Sequence, residues 1–396
     1  MEGIMNIGLF TETYYPEING VAASVYVLKE ELENQGHNVY VFTTTSPGAP
    51  KKEKNVYRVH SLPCVLISDR RVGMFYQRKI AAAMKKLDLD VIHTNTEFSL
   101  GIFGRIMAKE LKIPIVHTYH TIYEDYTHYV TKGIILDNKA KKAVRIFSKV
   151  CCNTVDEVIV PTEKVEELLR QYHVKRDIKV IPSGINLDKF DHLNYSEEEI
   201  ETIRLEHGIQ KENKVILYLG RVSQEKNIEE LIRYMPAYLE RHDDAKFVII
   251  GDGPDCSRLK NLAKEMGCEG SILFLGEKPY DDIGKYYQMG DVFVSASKSE
   301  TQGLTFIEAM ASSLPVVAKE DRCLEGILEE GENGFFFQNE EEFHDALDEI
   351  LYSGNEFDYK INAKDTAYRF STHNFAQAIL EVYEDVVARR GLEYVR

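Results

Sequence analysis

Short apolar runs recur along this chain, separated by longer stretches of helical patterning, and that alternation sets the first expectation. In the N-terminal half the runs fall at residues 5–10, 39–43, 56–60, 91–94, 113–117, 158–161 and 178–181. Helical stretches lie between most of them, the first over 22–35 and ended by Gly36. The pattern breaks at Pro182-Ser183-Gly184-Ile185-Asn186, and a charged, weakly apolar stretch continues to about Asn213. A second series follows, with strands expected over 215–219, 247–250, 272–275, 292–294, 316–318 and 335–337. The final stretch, 373–390, reads as a helix with Phe375, Ile379, Val382, Val386 and Val387 on its apolar positions. Strands alternating with helices imply α/β architecture with two Rossmann-like, doubly wound parallel sheets. The expected domains are 1–185 and 186–372, joined by a linker around 182–195.

Length and composition agree with that picture. At 396 residues the chain can bury two cores, and no low-complexity tract interrupts it. No apolar run approaches the roughly 18–20 residues needed to span a bilayer. The N-terminal MEGIMNIGLF lacks a basic region followed by a cleavable apolar core, so a cytoplasmic location is expected. Cys64, Cys151, Cys152, Cys256, Cys268 and Cys323 form no zinc-spaced set and read as reduced thiols. Net charge is −16, unevenly spread. Up to Ile181 there are 25 Lys and Arg against 21 Asp and Glu, a balance of +4; the remainder carries −20. The first half is therefore locally basic in an acidic protein.

The densest chemistry lies over 291–318. An apolar run, Val292-Phe293-Val294, gives way to a polar loop holding Glu300 and Gly303. Leu304, Ile307, Met310 and Ala311 then follow helical spacing, with Glu308 among them, before the next strand. Such a loop falls at the carboxyl edge of a parallel sheet, where open α/β folds bind ligands. Backbone N–H groups of Gly303, Leu304 and Thr305, at the helix start, suit a phosphate. Either glutamate alone reads as a solvated or capping side chain. Spaced seven residues apart around Gly303-Leu304, the two suit hydroxyls on different parts of one elongated ligand.

Other strand ends add to this. Gly220-Arg221-Val222-Ser223-Gln224-Glu225-Lys226-Asn227 follows strand 215–219, and Arg221 with Lys226 can converge on a diphosphate. By itself this loop reads equally well as a solvated basic loop before a helix. Gly251-Asp252-Gly253-Pro254 is a tight turn that lets a ligand approach backbone, with Asp252 as a turn residue. No G-x-G-x-x-G follows the first strand, which disfavours a dinucleotide oxidoreductase; the loop there reads Pro16-Glu17-Ile18-Asn19-Gly20-Val21. Asp88-Leu89-Asp90 mimics a metal-binding tripeptide but abuts strand 91–94, so it reads as a strand entrance.

Taken together, the spaced acids and these loops resemble the retaining GT-B glycosyltransferases of family GT4 and their E-x7-E motif, over essentially the whole chain. The resemblance implies two Rossmann-like domains facing a cleft, with a C-terminal helix, about 373–396, crossing back to the first domain. It implies Glu308 on the nucleotide ribose, Glu300 facing the transferred sugar, and main chain at Gly303, Leu304 and Thr305 near sugar and diphosphate. Arg221 and Lys226 match the diphosphate-binding pair. Gly253 lies where the nucleotide runs close to backbone, and Lys278 lies in the segment Gly276-Glu277-Lys278-Pro279 that receives the nucleobase. Gly20 matches a glycine that approaches the diphosphate from the other domain, although Asn19 replaces the glycine often found before it. His120, in Thr118-Tyr119-His120-Thr121, matches a residue contacting the donor sugar near the reaction centre; His117 is expected to pack. The implied reaction retains anomeric configuration, uses no enzyme nucleophile and requires no metal or other cofactor.

Two segments narrow the resemblance. His93-Thr94-Asn95-Thr96-Glu97-Phe98-Ser99-Leu100-Gly101 and Ile122-Tyr123-Glu124-Asp125-Tyr126-Thr127-His128-Tyr129 are similar to bacterial 1,2-diacylglycerol 3-α-glucosyltransferases. That implies UDP-glucose as donor, diacylglycerol or a related lipid as acceptor, and peripheral attachment to the inner face of the cell membrane. The basic stretches fit an anionic surface. One carries Lys132, Lys139, Lys141, Lys142, Arg145 and Lys149 beside Ile134, Ile135, Leu136, Val144, Ile146 and Phe147. The other, over 70–86, mixes Arg70, Arg71, Arg78, Lys79, Lys85 and Lys86 with Met74, Phe75 and Tyr76. Both are read as amphipathic helices, which also suit ordinary packing on a core. No nucleic-acid partner is expected. Open alternatives are UDP-galactose as donor, a glycosylated lipid or soluble or cell-wall acceptor, and a nucleotide-sugar-binding protein without turnover.

Overall fold

The computed structural model describes residues 3–17, 19–50, 52–63, 71–126 and 137–393. Ile18, Cys64, Arg70, Thr127-His128-Tyr129, Lys132, Ile134, Ile135 and Leu136 lie outside the described residues. The chain divides into two compact units, one of Met1–Gly184 with Thr372–Arg396 and one of Ile185–Ser371.

The first unit is built on seven strands: β1 (Asn6–Phe10), β2 (Asn38–Thr44), β3 (Val56–Val59), β6 (Val91–Thr94), β7 (Ile115–Thr118), β8 (Glu157–Val160) and β9 (Ile178–Val180). They are parallel, in the order β3-β2-β1-β6-β7-β8-β9. Alternate residues supply two separate cores, as a period of two requires. Ile7, Leu9, Val41, Val91, Val116 and Ile159 face one side. Phe10, Phe42, Ile92, Ile115 and Val158 face the other, under Phe103 and Met107 of the helix Ser99–Leu111. The C-terminal helix Thr372–Glu393 closes the first core with Phe375, Ile379, Leu380, Tyr383 and Val386. The end of the chain thus belongs to the unit formed by its beginning.

Six parallel strands carry the second unit: β10 (Lys214–Leu219), β11 (Ala245–Ile250), β12 (Ile272–Gly276), β13 (Val292–Ser295), β14 (Val316–Lys319) and β15 (Gly334–Phe337). Their order is β12-β11-β10-β13-β14-β15. Val215, Leu217 and Leu219 pack with Phe306, Ile307 and Met310. Ile216 and Tyr218 meet Leu231, Ile232 and Met235 on the opposite face. Strand order reverses between β10 and β13, the position at which such sheets leave a crevice beyond their carboxyl ends.

Three expectations need correction. The first helix spans Gly20–Asn34, because Asn19 Oδ1 accepts from the Ala22 amide at 3.0 Å and caps it; Gly20 is its first residue, not a loop residue. The basic stretch 70–86 is not one helix. Its start, β5 (Arg71–Gly73), pairs antiparallel with β4 (Ser61–Pro63), and only Arg78–Met84 is helical. Gly73 fixes the extended backbone there: its amide meets Ser99 Oγ at 2.9 Å, and a side chain would press on Leu100. Finally, the expected linker and the charged stretch after it are structured. Turns at Leu187–Phe190 and His192–Asn194 precede the helix Glu197–Glu206, and Phe190 is fully buried in the core of the second unit.

Candidate functional site

In the second unit the loops after β10, β11 and β12 are zipped together by their backbones. The Gly220 amide donates to Ile250 O at 2.9 Å, Val222 to Asp252 O at 3.0 Å, and Gly251 to Gly276 O at 2.9 Å. A side chain on Gly251 would overlap the Gly220 carbonyl, and one on Gly253 would overlap the Val222 carbonyl. Gly253 is therefore required by the neighbouring loop, which sets Arg221 beside it. Asp252 Oδ1 accepts from the Gly253 amide at 2.7 Å, the turn role expected of it. Arg221 is exposed, and its carbonyl accepts from the Tyr218 hydroxyl at 3.0 Å.

Across the β10/β13 crevice the loops are joined by charge. Lys226 Nζ lies 2.5 Å from Glu300 Oε1, both side chains more than four-fifths buried. Ser299 Oγ donates to Glu225 O at 3.3 Å beside them. Gly303 follows with φ +73°, a left-handed conformation in which a side chain would strike the Phe306 ring. That turn starts the helix Leu304–Ala311, whose first residues, Leu304 and Thr305, are half-buried.

Glu308 sits one turn further in and is 7 % exposed. The Tyr287 hydroxyl donates to its Oε2 at 2.8 Å. Burial pushes the carboxyl up to about 7, opposed by that hydrogen bond and by the charge of Lys189. Lys189 Nζ rests 3.4 Å from the centre of the Tyr280 ring and 3.8 Å from Asp281. Lys278, past the edge strand β12, places its ammonium 5.0 Å from the Tyr286 ring centre.

The first unit gathers a different set at the ends of β6 and β7, which pair with Thr94 opposite His117. His117 Nδ1 meets Thr94 O at 2.9 Å, and its Nε2 lies 3.3 Å from Glu97 Oε1. The Tyr123 hydroxyl donates to the other oxygen of Glu97. His93 is held by the Tyr383 hydroxyl at 2.6 Å and by Thr118 Oγ1 at 2.7 Å. His120 Nε2 lies 3.1 Å from Asn95 Oδ1. Burial lowers all three imidazoles, His120 to about 3, so each is neutral at ordinary pH.

On the same unit the helix Asp137–Asn153 exposes Lys139, Lys142, Arg145, Ile146 and Val150, and Arg145 grips Glu124 at 2.5 and 2.9 Å. Met74, Phe75, Tyr76 and Phe98 are also exposed. No helix among the described residues is long and apolar enough to cross a membrane.

Known proteins are similar to this chain in sequence and fold. Residues 18–189 match Glycosyltransferase Family 4, and residues 199–366 match Glycosyl transferases group 1. The α-monoglucosyldiacylglycerol synthase of Streptococcus pneumoniae is 39% identical over 391 residues, 98% of this chain and 88% of that protein. That of Acholeplasma laidlawii is 38% identical, covering 85% and 86%. The chain belongs to glycosyltransferase family 4. Its GT-B fold is shared with HepE from Anabaena, solved with UDP and glucose, at a TM-score of 0.76 and 19% identity over 96% of this chain and all of that one. Sucrose-phosphate synthase from Thermosynechococcus elongatus superposes at 0.75, with 21% identity over 97% of this chain and 100% of that one.

Within this family 4 glycosyltransferase, Arg221, Lys226, Gly253, Glu300, Gly303, Leu304, Thr305 and Glu308 lie at the carboxyl edge of one sheet, around β10, β11 and β13. Lys278 lies past the edge strand, and His120 and Gly20 belong to the other unit. Sequence reasoning missed Tyr287, Lys189 and Asn95. Tyr287 ends the short helix Ile283–Tyr287 and belongs to no motif. Asp88 and Asp90 tie strands together: the Asp88 carbonyl accepts from Asn6 Nδ2 at 3.0 Å, and Asp90 Oδ2 from the Asn6 amide at 2.7 Å. No group of three or more His, Cys, Asp or Glu among the described residues is placed to hold a metal ion.

Proposed function

We propose that this enzyme transfers glucose from UDP-glucose to the 3-hydroxyl of 1,2-diacylglycerol, with retention, to form α-monoglucosyldiacylglycerol at the surface of the membrane. The observation that carries the acceptor assignment is the 39% identity to an α-monoglucosyldiacylglycerol synthase, nearly end to end in both chains. The exposed lysines and apolar side chains of Asp137–Asn153 support contact with an anionic bilayer from the cytoplasmic side.

Donor chemistry follows from the second unit. Glu308, ionised, accepts from the ribose hydroxyls; Arg221, Lys226 and the amides at the Leu304–Ala311 helix start take the diphosphate. Glu300 faces the sugar, and its ion pair with Lys226 supports a place for that ammonium at the departing phosphate. The bond from sugar C1 to the phosphate oxygen breaks as the acceptor oxygen bonds C1 on the same face. The acceptor proton passes to the departing phosphate oxygen, which leaves as UDP. Cations and helix amides offset the charge of the leaving group, so we assign no metal or cofactor to the reaction.

The test supplies labelled UDP-glucose or UDP-galactose with vesicles containing diacylglycerol or its monoglucosyl derivative, or with D-inositol 3-phosphate in solution. The last follows from D-inositol 3-phosphate glycosyltransferases that match at 27% identity over 75% of the chain. Expected is UDP release with glucosyldiacylglycerol as product. Transfer only to the soluble acceptor would overturn the lipid assignment, and absence of UDP release with every pair would overturn turnover itself.

A further inference from the structure

We propose that Asn95 is a positioning residue, which holds His120 with its proton on Nε2 and so presents Nδ1 as a bare acceptor to a hydroxyl of the transferred sugar. The inference rests on the proposed transfer and on the contact of His120 with the donor sugar that the family resemblance implies, and deepens that reading.

The geometry comes from topology. Asn95 is the first residue past β6 and His120 the second past β7, on neighbouring parallel strands, so their side chains meet at one sheet edge. The Asn95 amide is anchored to Phe10 O at 2.7 Å, and the residue is 3 % exposed. An amide oxygen only accepts, so the 3.1 Å contact requires Nε2 of His120 to carry the proton. Nδ1 is then unprotonated, and a hydroxyl approaching it donates. Among the described residues the titratable groups set against this imidazole are His117 and His93, both held neutral by burial, and the neighbouring Glu97 carboxylate is engaged by His117 and Tyr123.

A second observation separates this from ordinary packing. Asn95 Nδ2 is buried without a partner among the described residues. An orphaned buried donor is destabilising, so an apolar residue would serve stability better. Among the described residues, the side-chain contact of Asn95 is that of its oxygen with His120.

Three variants test this by kinetics at saturating acceptor. Asn95→Leu is expected to lower kcat at least tenfold while its melting temperature does not fall and its UDP affinity stays at the wild-type value. Asn95→Asp keeps the acceptor oxygen and is expected to restore most of kcat at pH 9. Its added carboxylate favours the imidazolium, so kcat measured with donor also saturating should fall as pH drops toward 6, whereas His120 of wild type is already neutral there and gives kcat no such limb. Wild-type kcat for Asn95→Leu, or a flat profile for a fully active Asn95→Asp, overturns the positioning role. His120→Ala separates the two claims. If it retains full transfer, the contact of His120 with sugar is wrong; if it is inactive while Asn95→Leu is not, only the positioning fails.

Discussion

The carboxyl edges of the two sheets make an instructive pair. Both lie past the central strands of all-parallel sheets, and both concentrate buried polar side chains. The edge of the second unit is charged: Lys226 against Glu300, Arg221 beside paired glycine turns, and Glu308 poised near neutrality. At the edge of the first unit His93, His117 and His120 are neutral, and the carboxylates beside them are engaged, Glu97 by His117 and Tyr123 and Glu12 by Ser99 Oγ and the Leu100 amide. One architecture therefore supplies placement to both, and the side chains choose the ligand chemistry. A diphosphate with a ribose calls for cations, close backbone and an ionised acid. Neutral hydroxyls call for donors and acceptors of fixed direction.

Removing the charge from the second edge should do the most damage. Lys226→Ala is expected to lower transfer about 10²–10³-fold, the loss typical when one group stabilising developing charge is deleted. It also leaves Glu300 without that ammonium in a site four-fifths buried. Glu300→Ala should likewise lose transfer but keep UDP affinity, measured by titration calorimetry. Full transfer by Lys226→Ala would show that its ion pair serves the loop rather than the leaving group.

Next in size is Glu308. Hydrogen bonds to a charged group contribute about 1.5–3 kcal/mol, so Glu308→Gln should weaken UDP binding roughly 10–100-fold. In wild type, affinity should rise with pH as the carboxyl ionises around 7. Stability runs the other way. The folded carboxyl titrates above its unfolded value of about 4.5, so the native state binds the extra proton and stability declines as pH rises from there to about 7. Glu308→Gln should consequently raise the melting temperature at pH 8 relative to wild type and change it little at pH 4. UDP affinity independent of pH between 5 and 8 would count against the ribose role. No such slope is expected from His120, whose lowered pKa keeps it neutral across that range.

The same contrast explains what the sequence disclosed. Strands announce themselves by apolar runs, and residues that follow a strand directly, such as Arg221 and Glu300, carry their location with them. Partners drawn from a neighbouring strand or helix do not. Asn95 and His120 stand 25 apart, and Tyr287 and Glu308 stand 21 apart. Which of them touch depends on strand order and on which helix covers which edge, and no spacing rule encodes that. Local chemistry hid the rest. Asn19 moved the helix start by capping it, and Gly73 with its amide on Ser99 turned the start of a basic amphipathic stretch into a strand. Phe190 was obscured by the charged residues around it, although it is the anchor of that turn.

The smallest expected effect tests whether the first unit, whose strand-end imidazoles are neutral, presents its lysines to a surface. Lys142 and Ile146 lie one turn apart and exposed on the helix Asp137–Asn153. A lysine near an anionic bilayer contributes about 1 kcal/mol through a field screened within roughly 10 Å at 0.1 M salt. Lys142→Gln should therefore weaken flotation with anionic vesicles about fivefold at low salt and not at all at 1 M. Ile146→Ser removes apolar area instead, and burial of such a side chain does not depend on counter-ions. Its loss should persist at both salt concentrations. If the helix serves only to cover a core, both variants float like wild type, because Ile146 is already 55 % exposed and neither change disturbs packing. Equal salt dependence of the two would mean that charge alone brings the protein to the bilayer and that the apolar side chains never enter it.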